Sequence, residues 1–205
     1  MRRAKLGDVY AVKVPNGYKI VQWAYRIERY GTFIRIFDGL YDAIPENIAQ
    51  IVAGQHSYIT ALSVGRAYRI GLLEWLGNFP VPEEYPFPRF MAEFHYDQHQ
   101  QPFGITIMKT IMDPTLPQRQ LFSATSIRDL PEPYCSAEML TTIFPPDMLL
   151  YLFDNDFTLE KPAIQHPVIH WGPDWRERYQ VYIDIVVDAL SKDPKSKSIL
   201  KRYIS

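Results

Sequence analysis

The side chains in this sequence that can do chemistry are few and scattered. His95-Tyr-Asp-Gln-His99 is the densest group. On a strand His95, Asp97 and His99 share one face, because side chains repeat every two residues. Two imidazoles and a carboxylate are competent ligands for a divalent metal. The segment runs into Gln100-Gln-Pro102, which reads as a loop, and no further ligand lies at close spacing. His166 and His170 are four apart, but Pro167 stands between them and no Glu follows the first, unlike the helix of zinc proteases. Cys135 is the single cysteine, and Pro-Tyr-Cys-Ser-Ala places no cation beside it to activate the thiol. Gly-x-Ser-x-Gly, P-loop and dinucleotide fingerprints are absent. The sequence therefore predicts no catalytic residue, no metal site and no cofactor. His95, Asp97 and His99 remain the candidates for a metal-dependent enzyme.

A second group is acidic. Asp147, Asp154, Asp156 and Glu160 fall in a short stretch, and Phe153 and Phe157 flank Asp154-Asn-Asp156. Carboxylates around aromatic anchors make a reasonable protein-binding surface, since opposite charge speeds association and aromatics hold the complex. These six residues are the predicted contact site, and a basic partner suits them. The later Gly and Glu of a calcium loop are missing. A third group is the basic, aromatic N-terminal segment with Tyr10, Tyr18, Trp23, Tyr25, Tyr30 and Phe33. It has the mixture of a single-strand nucleic-acid binder. Aromatics filling a core, with Lys and Arg on an outer face keeping a sheet soluble, account for the same pattern.

The elements that must hold these groups follow from the punctuation. There are 17 Pro and 10 Gly in 205 residues. Eight of the Gly lie at or before Gly77, and fourteen of the Pro lie between Pro80 and Pro173. Interior prolines exclude a long helical bundle across the middle. Asp8 to Val14 is β-branched and aromatic, Pro15-Asn-Gly17 supplies a turn, and Tyr18 to Ile27 returns. Arg29-Tyr-Gly31 is a second turn, and Thr32 to Phe37 alternates, with Phe33, Arg35 and Phe37 opposite Ile34 and Ile36. This predicts an antiparallel meander or small β-barrel at the N-terminus. Pro45 to Ala53 suits a short helix, and Ser57 to Val64 a strand.

The Pro-rich run from Phe79 to Arg89 predicts an extended connector. It divides the chain into a β-rich region at 1–88 and a second β-rich region at 89–205, unless the two form one continuous domain. Arg89 to His95 and Phe103 to Ile111 read as strands, whereas Met139 to Phe144 and Met148 to Phe153 fit either a strand or a helical turn. Near the C-terminus, Asp174 is a plausible N-cap. Behind it Trp175, Tyr179, Tyr182, Ile183, Val186, Val187 and Leu190 form one helical stripe. The stretch from Lys195 to Lys201 reads as a solvated tail. The fold class is α+β and β-rich, with one C-terminal amphipathic helix.

The formal net charge is −1, which disfavours a nucleic-acid binder with a basic overall field. The total hides a pattern: +5 over residues 1 to 40, −8 from Asp129 to Asp188, and +4 from Ala189 onward. The basic N-terminus is not followed by an apolar signal region, and no run approaches a membrane span. With one thiol, the expected compartment is the cytoplasm.

Lys5-Leu-Gly-Asp-Val-Tyr-Ala-Val-Lys-Val-Pro-Asn-Gly-Tyr18 resembles the opening of the bacterial immunity protein 26 family, with Tyr18 to Tyr25 as the aromatic return strand. Phe37-Asp-Gly-Leu-Tyr41 and Leu76-Gly-Asn-Phe-Pro80 are compatible with it. The similarity covers about the first 95 residues. It implies a largely β protein that neutralises the cognate toxin of a polymorphic toxin system by binding, with no catalytic residue. If the toxin is a nuclease, it binds phosphate and is itself basic. The function expected is therefore stoichiometric inhibition of a toxin. The alternatives are the metal-dependent enzyme at His95, Asp97 and His99, and a nucleic-acid adaptor on the basic N-terminal sheet.

Overall fold

The computed structural model describes residues 2–27, 31–88, 90–96, 102–109, 120–124, 140–141, 146–156 and 171–204. The fold is α+β and β-rich. Strands β1 (Asp8–Val14), β2 (Gly17–Ile27) and β3 (Gly31–Ile36) form the expected meander, and β4 (Tyr58–Ala61) continues it. β5 (Glu74–Asn78) pairs antiparallel with the outer side of β1, and β9 (Leu140–Thr141) adds to β4 in parallel. The order is β5-β1-β2-β3-β4-β9. β5 and β9 end at opposite edges, so the sheet is open and the barrel alternative is excluded. A separate antiparallel sheet joins β6 (Phe90–Tyr96), β7 (Pro102–Lys109) and β8 (Gln120–Ala124).

Both faces of the first sheet are covered. Tyr10, Val12 and Val14 of β1, Val21 of β2, and Ile34 and Ile36 of β3 face one core. Three helices meet them there: α2 (Val64–Arg69), α3 (Pro146–Asp154) and α4 (Trp175–Ser191). This core crosses the 88/89 position, since residues from both sides of it pack together. On the other face Val9, Ala11, Ile20 and Phe37 meet Ile48 and Val52 of α1 (Ile48–Ala53). The 79–88 connector lies against the sheet. Phe87 packs edge-on to Tyr25 and Phe33 at centroid distances of 5.2 and 5.1 Å, and Tyr25 Oη donates to Tyr85 O at 2.6 Å.

Two covered faces explain a departure from the alternating pattern. Lys19 and Arg35 are fully buried, not displayed on a solvated side. Met148 to Phe153 resolves as helix, with Leu149, Leu150, Leu152 and Phe153 all buried. The stripe of α4 is buried at Tyr179, Tyr182, Val186 and Leu190, with Arg176, Glu177, Gln180 and Asp184 outward. Asp174 occupies the N-cap position without a side-chain cap bond. The expected solvated tail is instead a 3-10 turn (Pro194–Ser196) followed by α5 (Lys197–Ile204). Asp193 caps the turn, accepting from Lys195 N at 3.1 Å and Ser196 Oγ at 2.9 Å. Ile199, Leu200 and Tyr203 pack on the core. Their i, i+1, i+4 spacing gives the helix its apolar side, a signal obscured by four flanking cations.

Candidate functional site

Of the six acidic-loop residues, Asp147, Phe153, Asp154 and Asp156 are described, and Phe157 and Glu160 lie outside the described residues. The structure turns the first three inward. Asp147 accepts from Tyr179 Oη at 2.8 Å and Tyr203 Oη at 2.7 Å. Asp154 accepts from Tyr182 Oη at 2.7 Å, and from Asn16 N and Nδ2 at 2.8 and 2.9 Å. Phe153 is a core residue at 2 % exposure. Asp156 keeps 40 % side-chain exposure and pairs with the buried ammonium of Lys19. The partner of these carboxylates is therefore the β1–β2 hairpin and the C-terminal helices of the same chain.

Local geometry explains how the loop reaches the hairpin. Asp156 follows α3 with φ of +48°, a left-handed position in which Asp is one of the better-tolerated residues. Its N–H returns to Phe153 O at 3.2 Å. Gly17 lets the hairpin approach Tyr41, whose carbonyl would stand 2.5 Å from an added Cβ. Burial pushes the Lys19 ammonium below its ordinary pKa, and Asp156 opposes that shift. Burial pushes the Tyr182 and Tyr179 hydroxyls up, and the carboxylates they bond push them further.

Two other polar centres fasten the sheet. Asp8 of the Gly-Asp-Val-Tyr motif is buried and accepts two bonds from Arg2, at 2.9 and 2.8 Å. It also accepts from Lys5 N at 2.7 Å and Asn78 Nδ2 at 2.9 Å. Gly7 beside it has φ of +85°, and a Cβ there would lie 2.6 Å from Phe79 O. This motif thus clamps the chain start and edge strand β5 onto β1. On the opposite face Arg35 donates to His56 Nδ1 and Gln22 Oε1, each at 3.0 Å, and to Val52 O and Gly54 O at 3.1 and 2.7 Å. The guanidinium also lies 4.9 Å from the Phe37 ring and 4.6 Å from that of Tyr85.

Away from these groups, two clefts lined by described residues share Ala61, Leu62 and Ser63 as a common wall. The smaller, about 510 Å³, includes Arg3, Arg26, Trp23 and Thr32 in its lining. The larger, about 720 Å³, runs between α2, α4 and α5 and includes Arg66, Arg202, Ile70 and Ile183. All four arginines are exposed, and among the described residues none forms an ion pair. Among the described residues the one carboxylate in these walls is Asp147, whose two oxygens are held by tyrosine hydroxyls. No sequence motif marks these arginines. Their trace in the sequence is the charge pattern, since Arg3 and Arg26 come from the basic start and Arg202 from the basic end.

For the metal reading, His95 lies on β6, and Asp97 and His99 lie outside the described residues, as do Cys135, His166 and His170. Among the described residues no group of three or more His, Cys, Asp or Glu could hold a metal ion. For the nucleic-acid reading, Tyr10 and Phe33 are core residues at 0 and 2 % exposure, and Tyr30 lies outside the described residues. Among the described residues no helix is long and apolar enough to cross a membrane. Comparison of the chain with protein-family models, with curated proteins and with solved structures gives no match.

Proposed function

We propose that this chain is a binding protein that neutralises a bacterial toxin in the cytoplasm by one-to-one association. The observation that carries this reading is the pair of adjoining clefts. They offer apolar area and exposed cations that among the described residues form no ion pair, and the one carboxylate among the described lining residues is already engaged by Tyr179 and Tyr203. Such a surface is suited to holding a partner, because exposed charge speeds encounter and a desolvated apolar centre supplies affinity. The toxin as partner comes from the resemblance of Lys5 to Tyr18 to the immunity protein 26 opening. The test is genetic. A neighbouring gene should encode a multidomain toxin, and its toxin domain should arrest growth alone but not when co-expressed with this chain. A neighbouring toxin that kills equally in both cases, or the lack of such a gene, contradicts the proposal.

A further inference from the structure

We propose that the two clefts form one docking face, and that its occupant is an acidic amphipathic segment of the toxin protein. This rests on the reading of the chain as a toxin-binding protein and adds the chemistry of the contact. Charge complementarity is the first argument. Arg3, Arg26, Arg66 and Arg202 come from separate parts of the sequence, yet all line one pair of clefts with a shared wall. None is paired among the described residues, whereas the buried cations Lys19 and Arg35 are fully engaged within the fold. Four exposed guanidiniums around one face select an anionic contact segment, in place of the basic contact expected from the acidic stretch, whose Asp147, Asp154 and Asp156 are engaged within the fold.

The second argument is the lining of the larger cleft. Ala67 of α2 and Ile70 just after it, Ile183 and Leu190 of α4, and Ile199 of α5 make it aliphatic. An aliphatic channel between helices receives the apolar stripe of an amphipathic segment, with anchors at i, i+3, i+4 and i+7. Carboxylates flanking that stripe then meet Arg66 and Arg202. A nucleic acid would satisfy the charges, but single-strand binding depends on aromatic faces for the bases. Among the described lining residues the aromatic rings are Trp23 in the smaller cleft and Tyr203 in the larger, where its hydroxyl is committed to Asp147. The lining therefore favours a polypeptide.

The test uses the full chain and three fluorescent probes. They are a helical peptide of roughly 20 residues with a leucine stripe flanked by Glu, the same peptide with Lys for Glu, and an oligothymidine of similar length. The Glu peptide should bind saturably and more weakly as salt rises, and the Lys peptide should not bind. The Arg66→Glu/Arg202→Glu variant should weaken the Glu peptide by about tenfold or more. Both side chains are exposed, so an unchanged melting temperature verifies the fold. Equal binding of the Glu peptide by wild type and variant overturns the proposal, as does tighter binding of the oligothymidine. Toxin neutralisation by wild type and variant separates this inference from the function it rests on. Peptide binding with these properties but no neutralisation keeps the docking face and removes the toxin reading. Equal neutralisation by both proteins keeps the toxin reading and removes the docking face.

Discussion

Asp156 and Lys19 form an unequal pair. Lys19 is buried and Asp156 is partly in water, so the two partners respond differently to removal. Asp156→Asn strands a buried ammonium, and a loss of about 2–3 kcal/mol is expected after allowing for solvent at Asp156. Lys19→Met removes the buried charge and leaves a carboxylate that water can reach, so its effect should stay within about 1 kcal/mol. Urea unfolding of both variants checks this, and equal losses contradict it. Tyr58 is the converse case. Its hydroxyl is buried and lacks a hydrogen-bond partner among the described residues. Tyr58→Phe should therefore leave stability unchanged or raise it by about 1 kcal/mol, measured in the same way. Asp8 is one source of acid sensitivity. Burial works to raise its pKa, and the Arg2 bonds, the Lys5 N–H and the Asn78 amide outweigh that and hold it below the ordinary 3.8. A depressed folded pKa gives stability that is complete above the unfolded value and lost as pH falls through the folded one. Melting temperature should thus fall on acidification below about pH 4, and less steeply in Asp8→Asn. Parallel slopes would remove Asp8 from the acid response.

At the scale of elements, strong local patterns were legible and tertiary partners were not. The meander follows from Val9 to Val14, the Pro15–Gly17 turn and the alternation of Thr32 to Phe37, each a signal within a few residues. α4 follows from its stripe. β5 was invisible as a strand because Glu74 to Asn78 has neither alternation nor β-branched residues, and pairing with β1 alone defines it. α5 was hidden by lysines around Ile199, Leu200 and Tyr203. Asp154 and Asp156 looked like a surface because their partners, Asn16 and Lys19, are more than 130 positions away. Gly7 shows how a short motif carries such distant information. A methyl group there meets Phe79 O and demands an unfavourable φ, so Gly7→Ala should cost about 1–3 kcal/mol and loosen β5 from β1. Hydrogen exchange should then quicken at the β5 amides first. Uniform quickening across the sheet would mean that the motif does not act through this edge.

At the scale of the molecule, the charge pattern has a structural outcome. Part of the acidic stretch, Asp147 to Asp156, folds inward as the fastening between α3, the C-terminal helices and the β1–β2 hairpin. The basic start and end, distant in sequence, contribute Arg3, Arg26 and Arg202 to one accessible face. A chain with a net charge of −1 thereby displays a local cationic surface. Under the proposed one-to-one neutralisation, protection is consumed as it is used. The most direct measurement is a titration of a fixed amount of purified toxin domain with the full chain, following binding heat and residual toxicity together. Both should saturate at one chain per toxin domain. Protection at a small fraction of that ratio would reveal turnover, and heat without protection would reveal binding that does not neutralise; either result contradicts stoichiometric inhibition.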